Sequence, residues 1–311
     1  MPHSDTRSGD SPFESRLMIL TRARALVLFA SVPLAASCGS RGGLKVGSKN
    51  FTEELILGEL YAQSLEHAGI GVTRRFNLGT TDIAMAALAR GEIDLYPEYT
   101  GTALLNVLHL PPDSDPASSY RTVKDAYAKR FGLTWLDQSP MNDSQALATT
   151  QAIAGQYSLG TLSDLAPKAS SLRLGTVPEF LSRSDGLPGL RKRYGGFAFK
   201  QVKIVDNGLK YQALAHGDVD VVVAFSTEGQ LKADNLVVLE DNKHLFPAYH
   251  VAPVARKAAL DANPVIAQTL NKLAPLLTSD VMQNMNLQVD GPQKREPADV
   301  AKDFLQQNGL G

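Results

Sequence analysis

One short pattern occurs twice in the chain, and it constrains the fold more than any other feature. Residues 87–94 read ALARGEID, and residues 213–220, 126 positions later, read ALAHGDVD. The tetrapeptides LKVG (44–47) and LRLG (172–175) precede the two copies and lie 128 positions apart. Each copy indicates the end of an apolar helix, a glycine turn and a strand, because glycine readily adopts the left-handed conformation that ends helices. Two matching blocks at nearly one spacing predict two halves built on one β-α-β-α-β plan.

Strands that alternate with helices predict parallel crossover units, and therefore an α/β fold. Binding loops of such sheets gather at the carboxyl ends of the strands. Three polar loops follow predicted strands in the first half, at 48–50, 79–81 and 96–102. We expect these loops to share one edge. Asn50 should cap the next helix with Glu53 as its capping-box partner, and Thr80 or Thr81 should cap the helix after that.

Two segments indicate crossings between the halves. Residues 141–144 (MNDS) lead into the second half, and residues 246–249 (FPAY) lead back. The sequence therefore predicts a first lobe of residues 44–142 and 246–311 and an inserted second lobe of residues 143–245. Two lobes joined by two crossings form a hinge with a cleft between them. Three helices are expected after the return, at 263–277, 279–287 and 297–307.

The N-terminus has the pattern of a targeting segment. Basic residues precede an apolar run at 25–34, and small residues then lead to Cys38, which is the one cysteine of the chain. This order is typical of a secretory signal peptide. We expect residues 1–37 to be the signal, with Met18 as an alternative start, and residues 38–43 to be a tether. The segment LAASC resembles a bacterial lipobox, which implies acylation of Cys38 and a protein in the periplasm or on the outer face of the cytoplasmic membrane.

Composition argues against several classes of function. The 31 basic and 32 acidic residues nearly balance, which gives no indication of a nucleic-acid partner. The six histidines show no metal-like spacing, and the chain contains no GxSxG, P-loop or GxGxxG motif. Glu92, Asp94 and Glu98 lie close in sequence, but Asp218 and Asp220 echo them in the second copy, which favours a turn device over acid–base chemistry. We therefore predict neither an enzyme nor a cofactor.

Five segments in order make the chain resemble a known family. They are GSKNFTEELILGEL, LGTTDIAMAAL, GEIDLYPEYTGTAL, PEFLSRSDGLPGL and LVVLEDNKHLFPAYHVAPV. Together they resemble the substrate-binding proteins of osmoprotectant ABC importers, which take up glycine betaine, choline, carnitine and similar quaternary ammonium compounds. The resemblance runs from about Leu44 to the C-terminus. It implies a two-lobed type II periplasmic-binding-protein fold that closes on its ligand.

The resemblance also implies a site. The family surrounds the quaternary nitrogen with aromatic rings, whose faces attract a cation that has no N–H to donate. By their motifs, Tyr99 (YTGT) and Tyr249 (FPAYH) match ring positions, and Thr102 matches a hydroxyl donor. Lys49 (GSKN) matches a polar contact, although it also fits an ordinary exposed loop lysine. Arg183 (FLSRSDG) matches the arginine that holds a carboxylate, although it also fits a surface pair with Asp185 or Glu179.

Two positions depart from the family pattern. Gln145 (NDSQALA) and Phe225 (AFSTEG) stand where the family often has tyrosine. Phenylalanine keeps a ring face, but glutamine does not. The loss of one aromatic ring from the cage would weaken the binding of betaine by about 1–2 kcal/mol, or roughly tenfold. Gln145 could instead hydrogen-bond a larger or more polar ligand.

Three functions remain open from the sequence. The first is delivery of a quaternary ammonium osmoprotectant by a monomer to an ABC permease and its ATPase through hinge closure. The second is binding of an amino acid or an ergothioneine-like betaine. The third is a receptor lobe that senses its ligand and does not import it.

Overall fold

The computed structural model describes residues 42–113 and 115–311. The expected signal peptide, Cys38 and most of the tether lie outside the described residues. Within the described ranges, no helix combines the length and the apolar character needed to cross a bilayer.

Ten strands form two five-stranded sheets. The strands are β1 (Leu44–Gly47), β2 (Val72–Arg75), β3 (Leu95–Tyr99), β4 (Leu133–Trp135), β5 (Gln145–Thr149), β6 (Arg173–Thr176), β7 (Gln201–Ile204), β8 (Val221–Phe225), β9 (Val237–Leu239) and β10 (Val251–Arg256).

The helices surround these sheets. They are α1 (Thr52–His67), α2 (Thr81–Arg90), α3 (Thr100–Thr102), α4 (Pro116–Phe131), α5 (Gln151–Tyr157), α6 (Leu162–Leu165), α7 (Leu187–Tyr194), α8 (Lys210–Ala215), α9 (Gln230–Ala233), α10 (Lys257–Ala262), α11 (Val265–Asn271), α12 (Ser279–Asp290) and α13 (Pro297–Gln307). Short 3₁₀ helices occupy Ala169–Ser171, Pro178–Leu181 and Ala274–Leu276, and a π-helical turn spans Ala103–Val107.

The two sheets have the same topology. The first runs β2-β1-β3-β10-β4 and the second runs β7-β6-β8-β5-β9. In each sheet the first three strands are parallel, and the fourth is antiparallel to both of its neighbours. This confirms the mixed α/β, two-lobed architecture. We call the half that contains the first sheet lobe 1 and the half that contains the second sheet lobe 2.

The repeated sequence forms the same local structure in both lobes. Gly91 ends α2 with φ of 73°, and Gly217 follows α8 with φ of 72°. Asp94 Oδ2 accepts a hydrogen bond from the backbone N–H of Lys45 at 2.9 Å, and Asp220 Oδ2 accepts from that of Arg173 at 2.8 Å. The repeated aspartate therefore joins the turn to the first strand of its own lobe, as a turn device would.

The two crossings lie side by side. Asn142 and His250 form an isolated antiparallel bridge, and the backbone N–H of Asp143 donates to the carbonyl of Tyr249 at 3.1 Å. The Asn142 side chain accepts from the backbone N–H of Tyr249 at 2.7 Å. These bonds hold the hinge strands together and fix the position of Tyr249 between the lobes.

Several local predictions were wrong. Asn50 does not cap α1, because the helix begins at Thr52 with Phe51 at its N-cap. Neither Thr80 nor Thr81 makes a side-chain cap on α2. Helix α4 begins at Pro116, whose fixed φ suits a first helical position.

One strand was missed altogether. The segment Val251–Arg256 forms β10, which is buried between β3 and the edge strand β4 of the first sheet. Its sequence VAPVAR contains Pro253, and proline normally argues against an interior strand. Trp135 of β4 is fully buried in the core of lobe 1.

Candidate functional site

A cleft of about 1100 Å³ separates the two lobes. Its lining includes every ligand-contact position expected from the sequence: Lys49, Tyr99, Thr102, Gln145, Arg183, Phe225 and Tyr249. These residues come from strand ends, short helices and crossings, which are the positions where open α/β sheets place their sites.

Lys49 is buried and paired, so its alternative interpretation as an exposed loop lysine was wrong. Its Nζ lies 2.8 Å from Glu98 and 3.6 Å from Glu54. Burial lowers the pKa of Lys49, but the two carboxylates more than offset this and hold the pKa above its ordinary value. Burial also raises the pKa of Glu54 to about 8, with Lys49 acting against that shift.

Tyr99 ends β3 with its ring in the cleft lining and its hydroxyl turned away. The hydroxyl donates to Glu53 Oε1 at 2.7 Å. The Lys49 ammonium lies 4.8 Å from the centroid of the ring. One face of the ring therefore already attracts a fixed cation, which shows that the ring is positioned for cation–π contact.

Tyr249 is held from two sides. A Cβ at Gly101 would lie 2.6 Å from Cδ1 and Cε1 of the Tyr249 ring, so the ring packs directly on the backbone of lobe 1. Its hydroxyl donates to Asp185 of lobe 2. Burial, followed by the Asp185 charge, raises the pKa of Tyr249 well above its ordinary value, so the hydroxyl keeps its proton and can donate.

Asp185 organises the polar end of the cleft. Its carboxylate accepts two bonds from Arg183, at 2.9 and 2.6 Å, and one from Gln145 Nε2 at 2.7 Å. Burial raises the pKa of Asp185, but Arg183 more than offsets this and lowers it below its ordinary value. Arg183 uses Nε and one Nη for Asp185, so its other guanidinium edge remains for an anion.

Gln145 and Phe225 are neighbours in the second sheet. The two residues are paired in register between the antiparallel strands β5 and β8. The Lys210 ammonium lies 5.0 Å from the centroid of the Phe225 ring and 2.5 Å from Glu228. Gln145 therefore has partners of its own, and Phe225 supplies the ring face in this part of the cleft.

Thr102 and Asn106 face the cleft from one helical stretch. Thr102 is buried at the end of α3, and Asn106 lies four residues later in the π-helical turn. Asn106 Nδ2 is buried without a hydrogen-bond partner, and the residue lines the cleft. A polar ligand group would find donors there, and π-helical turns are frequent at functional sites.

Four buried residues join the lobes behind the cleft. Thr227 Oγ1 of lobe 2 lies 2.5 Å from Glu53 Oε2 and 2.6 Å from Asp143 Oδ1. Asn286 of α12 donates to Glu53 Oε2 and to the Thr227 carbonyl, each at 3.0 Å. We call these residues the carboxyl clasp: Glu53, Asp143, Thr227 and Asn286.

Sequence reasoning missed the clasp and the role of Asp185. Glu53 was interpreted as a capping partner of Asn50, and Asp185 as one of two surface partners of Arg183. The available signal was the sequence FTEE at the start of α1, because a glutamate beside a carboxyl end of the sheet can face the site and need not face solvent. Asn286 and Thr227 gave no signal, because only the tertiary fold brings them together.

Comparisons with known proteins identify the family of the chain. Residues 42–307 match the family model described as the substrate binding domain of ABC-type glycine betaine transport system. The chain is 35% identical over 297 residues to a glycine-betaine-binding protein of Pseudomonas aeruginosa, covering 92% of this chain and 94% of that protein. A crystal structure of a glycine betaine/carnitine/choline ABC transporter has a TM-score of 0.71 and 33% identity, covering 86% of this chain and 99% of the other.

A third relative is longer. The chain is 35% identical over 268 residues to a Helicobacter pylori protein named ergothioneine transport permease/ergothioneine binding protein, and it spans 48% of that protein's length and 86% of its own. Both the family match and the relatives cover nearly all of the described residues. The chain therefore belongs to the family of substrate-binding domains of ABC-type glycine betaine transport systems.

Proposed function

We propose that this protein captures a quaternary ammonium compound with a carboxylate, such as glycine betaine, in the cleft and presents it to an ABC permease with its ATPase. The observation that carries the proposal is the arrangement of two tyrosine rings on lobe 1 and an arginine fork on lobe 2 around one cleft. A trimethylammonium group cannot donate hydrogen bonds to oxygen acceptors, but the face of an aromatic ring attracts its positive charge. The free edge of Arg183 would hold the carboxylate.

The charge balance around the rings favours a cationic ligand. Glu53 and Glu98 lie beside Tyr99 and Lys49, so two carboxylates accompany the one ammonium there. A ligand with only an anionic group would meet these carboxylates without compensation. A zwitterion fits both ends of the cleft.

We propose that closure follows docking on one lobe. Residues 44–142 and 246–311 would move as lobe 1 and residues 143–245 as lobe 2, about the paired crossings. Contacts made to both lobes at once make the ligand bind the closed state more tightly, and this difference shifts the population toward closure. In this proposal the protein works as a monomer outside the cytoplasm, with Cys38 as a lipid anchor.

A second candidate ligand is a larger betaine of the ergothioneine type. The supporting observations are the polar Gln145 where the family often has a ring, and the unpartnered Asn106 Nδ2 at the cleft. An additional acceptor on the ligand would satisfy the Asn106 amide, which glycine betaine leaves unused. The Helicobacter pylori relative is named for such a ligand.

The first experiment is a thermal-shift panel of glycine betaine, choline, carnitine, ergothioneine and proline. We expect the true ligand to raise Tm in a concentration-dependent way, because ligand that binds only the folded state stabilises it. Proline should have little effect, since it lacks the quaternary nitrogen. A panel in which proline alone raises Tm would contradict the proposal.

Calorimetry of Arg183→Ala then separates the two ends of the ligand. Loss of the fork should weaken glycine betaine by about tenfold or more and choline far less, because choline has no carboxylate. Lys192→Ala is the matched control, since Lys192 is an exposed cation at the same cleft. Equal losses for both ligands would argue against Arg183 as the carboxylate partner.

A further inference from the structure

The carboxyl clasp has more acceptors than protons. The Thr227 hydroxyl carries one hydrogen, yet its oxygen lies 2.5 Å from a Glu53 oxygen and 2.6 Å from an Asp143 oxygen. A hydroxyl can donate to only one of them. The second short contact requires a proton on a carboxyl group, because two oxygens at 2.6 Å without a hydrogen between them would repel each other.

The hydrogen-bond partners identify which carboxyl holds that proton. Glu53 accepts from the Tyr99 hydroxyl, from Asn286 Nδ2 and from Thr227, and three donors stabilise an ionised carboxylate. Asp143 lacks this set of side-chain donors and can complete its contact by donating to the Thr227 oxygen. Burial raises the pKa of both carboxyl groups. The hydrogen bonds from Thr227, Tyr99 and Asn286 act against this rise at Glu53, whereas the Glu53 charge adds to it at Asp143, whose pKa lies well above its ordinary value.

We propose that Asp143 takes up one proton when the lobes close, so that capture of the ligand is coupled to protonation of the carboxyl clasp. Thr227 and Asp143 belong to lobe 2 and Glu53 and Asn286 to lobe 1, so the complete clasp forms only when the lobes meet. In this proposal, separation of the lobes removes Glu53 from Thr227 and lets water reach Asp143, which is then ionised at neutral pH as an ordinary aspartate is. Glu53 also holds the Tyr99 hydroxyl, so the clasp positions a ring of the proposed cage.

The groups that surround the clasp do not supply a counter-ion. Glu54 and Tyr61 face it from α1, Tyr99 from β3 and Asp290 from α12. Glu228 approaches from the segment after β8, and Lys210 of α8 pairs with Glu228. Among the described residues, no ion pair reaches Glu53 or Asp143, so a proton is the remaining means of neutralising the pair.

The sign of the pH dependence follows from this arrangement. The closed state binds one more proton than the open state, so closure is favoured at low pH and is opposed as pH rises through the neutral range. We expect the affinity for ligand to fall by up to about tenfold for each pH unit over the interval in which only the closed form is protonated.

The test is calorimetry with glycine betaine from pH 6 to 9, in phosphate and in Tris buffers. The two buffers differ in ionisation enthalpy, so the difference between the observed heats counts the protons taken up. We expect uptake approaching one proton per ligand in the wild-type protein. Asp143→Asn mimics the protonated acid, because its amide donates to Thr227, and it should bind with no proton uptake and little pH dependence.

Asp82→Asn is the matched control, since Asp82 is an exposed aspartate at the same cleft. It should keep the wild-type proton uptake. The cleft histidines His109 and His244 remain in both variants, so a loss of proton uptake in Asp143→Asn alone is due to the clasp. Wild-type binding without proton uptake, or unchanged uptake in Asp143→Asn, would overturn the proposal.

The inference rests on the proposed function for its ligand, so a readout without ligand keeps the two apart. If glycine betaine binds at no pH, the proposed function has failed, and small-angle X-ray scattering of the ligand-free protein from pH 6 to 9 then tests the clasp. Because only the closed form binds the extra proton, the closed fraction of the wild-type protein should grow as pH falls, which lowers its radius of gyration, whereas Asp143→Asn should keep one radius of gyration throughout. A radius of gyration of the wild-type protein that does not change with pH would overturn the clasp.

Discussion

Each lobe carries an aromatic ring at the end of an equivalent strand, with a lysine ammonium beside the ring. Tyr99 of lobe 1 and Phe225 of lobe 2 lie 126 positions apart, at the same place in the repeat and at the end of equivalent strands. Each ring has a lysine ammonium beside it, with Lys49 at 4.8 Å and Lys210 at 5.0 Å from the ring centroid. Each lysine is in turn paired with glutamate. The duplication thus extends from the backbone to a ring and its cation.

The Tyr99 and Phe225 rings differ in how firmly the surrounding residues hold them. The Tyr99 hydroxyl is bonded to Glu53, and the ring is buried. Phe225 has no hydroxyl, and its ring is only half-buried. The cross-strand neighbour also differs, because Val251 pairs with Tyr99 while Gln145 pairs with Phe225. Lobe 1 therefore offers a pre-organised ring, and lobe 2 offers a looser ring beside a polar group.

The largest expected effect on ligand affinity comes from removing the Tyr99 ring, which is the more firmly held of the two. Tyr99→Ala should weaken binding of a quaternary ammonium ligand by about 2 kcal/mol, or roughly thirtyfold, because a desolvated cation–π contact is lost. Phe225→Ala should cost less, since that ring is more exposed. Calorimetry on both variants measures the difference. A greater loss in Phe225→Ala would reverse the comparison.

A smaller change tests the polar neighbour. Gln145→Tyr would restore a ring that the family often has at this position. If the lack of that ring were the only effect of Gln145, the substitution would tighten ligand binding. Gln145 is buried, however, and donates to Asp185 at 2.7 Å. We therefore expect Gln145→Tyr to weaken glycine betaine by roughly tenfold, because Asp185 loses a hydrogen bond in a tightly packed place. Tighter binding in the same titration would show that the missing ring limits affinity.

A smaller change, Tyr99→Phe, gives lobe 1 the same ring that lobe 2 has at Phe225. Tyr99→Phe keeps the ring but removes the bond to Glu53, so binding should weaken by about 1 kcal/mol, or roughly fivefold. Tyr96→Phe is the matched control, because it removes another buried hydroxyl, bonded to Glu98, from the same strand. If both variants lose the same affinity, the Glu53 bond has no special role in positioning the ring.

The smallest expected effect concerns stability in lobe 1. Burial raises the pKa of Glu54 to about 8, so the folded protein holds a proton that the unfolded chain releases at lower pH. The free energy of unfolding should therefore fall as pH rises from about 5 to 8. Glu54→Gln should flatten this dependence and raise Tm near pH 8 by a few degrees (~1 kcal/mol). An unchanged slope in urea unfolding would contradict it.

Most of the fold could be predicted from local periodicity. The repeat predicted the equivalent turns at Gly91 and Gly217. The strand β10 was not predicted, because Pro253 argues against an interior strand and only the neighbouring strands decide its pairing. The predicted side-chain caps did not form, because α1 begins after Phe51 and because Thr80, although it is the N-cap residue of α2, makes no cap hydrogen bond with its side chain.

The candidate site was only partly predictable. The family motifs predicted seven residues that all line one cleft, and most of them lie at a strand end or at a crossing; Arg183 instead follows a 3₁₀ helix. The bonds that hold them were not predictable, since Asp185, Thr227 and Asn286 reach the site from distant parts of the chain. Sequence patterns report the periodicity of single elements, whereas these bonds depend on how the two lobes meet.

The absence of a side chain at Gly101 has a consequence for how the protein would work. Because the Tyr249 ring packs on that bare backbone, its position is tied to lobe 1 even though it belongs to a crossing between the lobes. A methyl group at position 101 would lie 2.6 Å from two ring carbons, so even alanine there would force the ring or the backbone to move. The smallest side chain of the cleft region thus sets where one of its largest rings can stand.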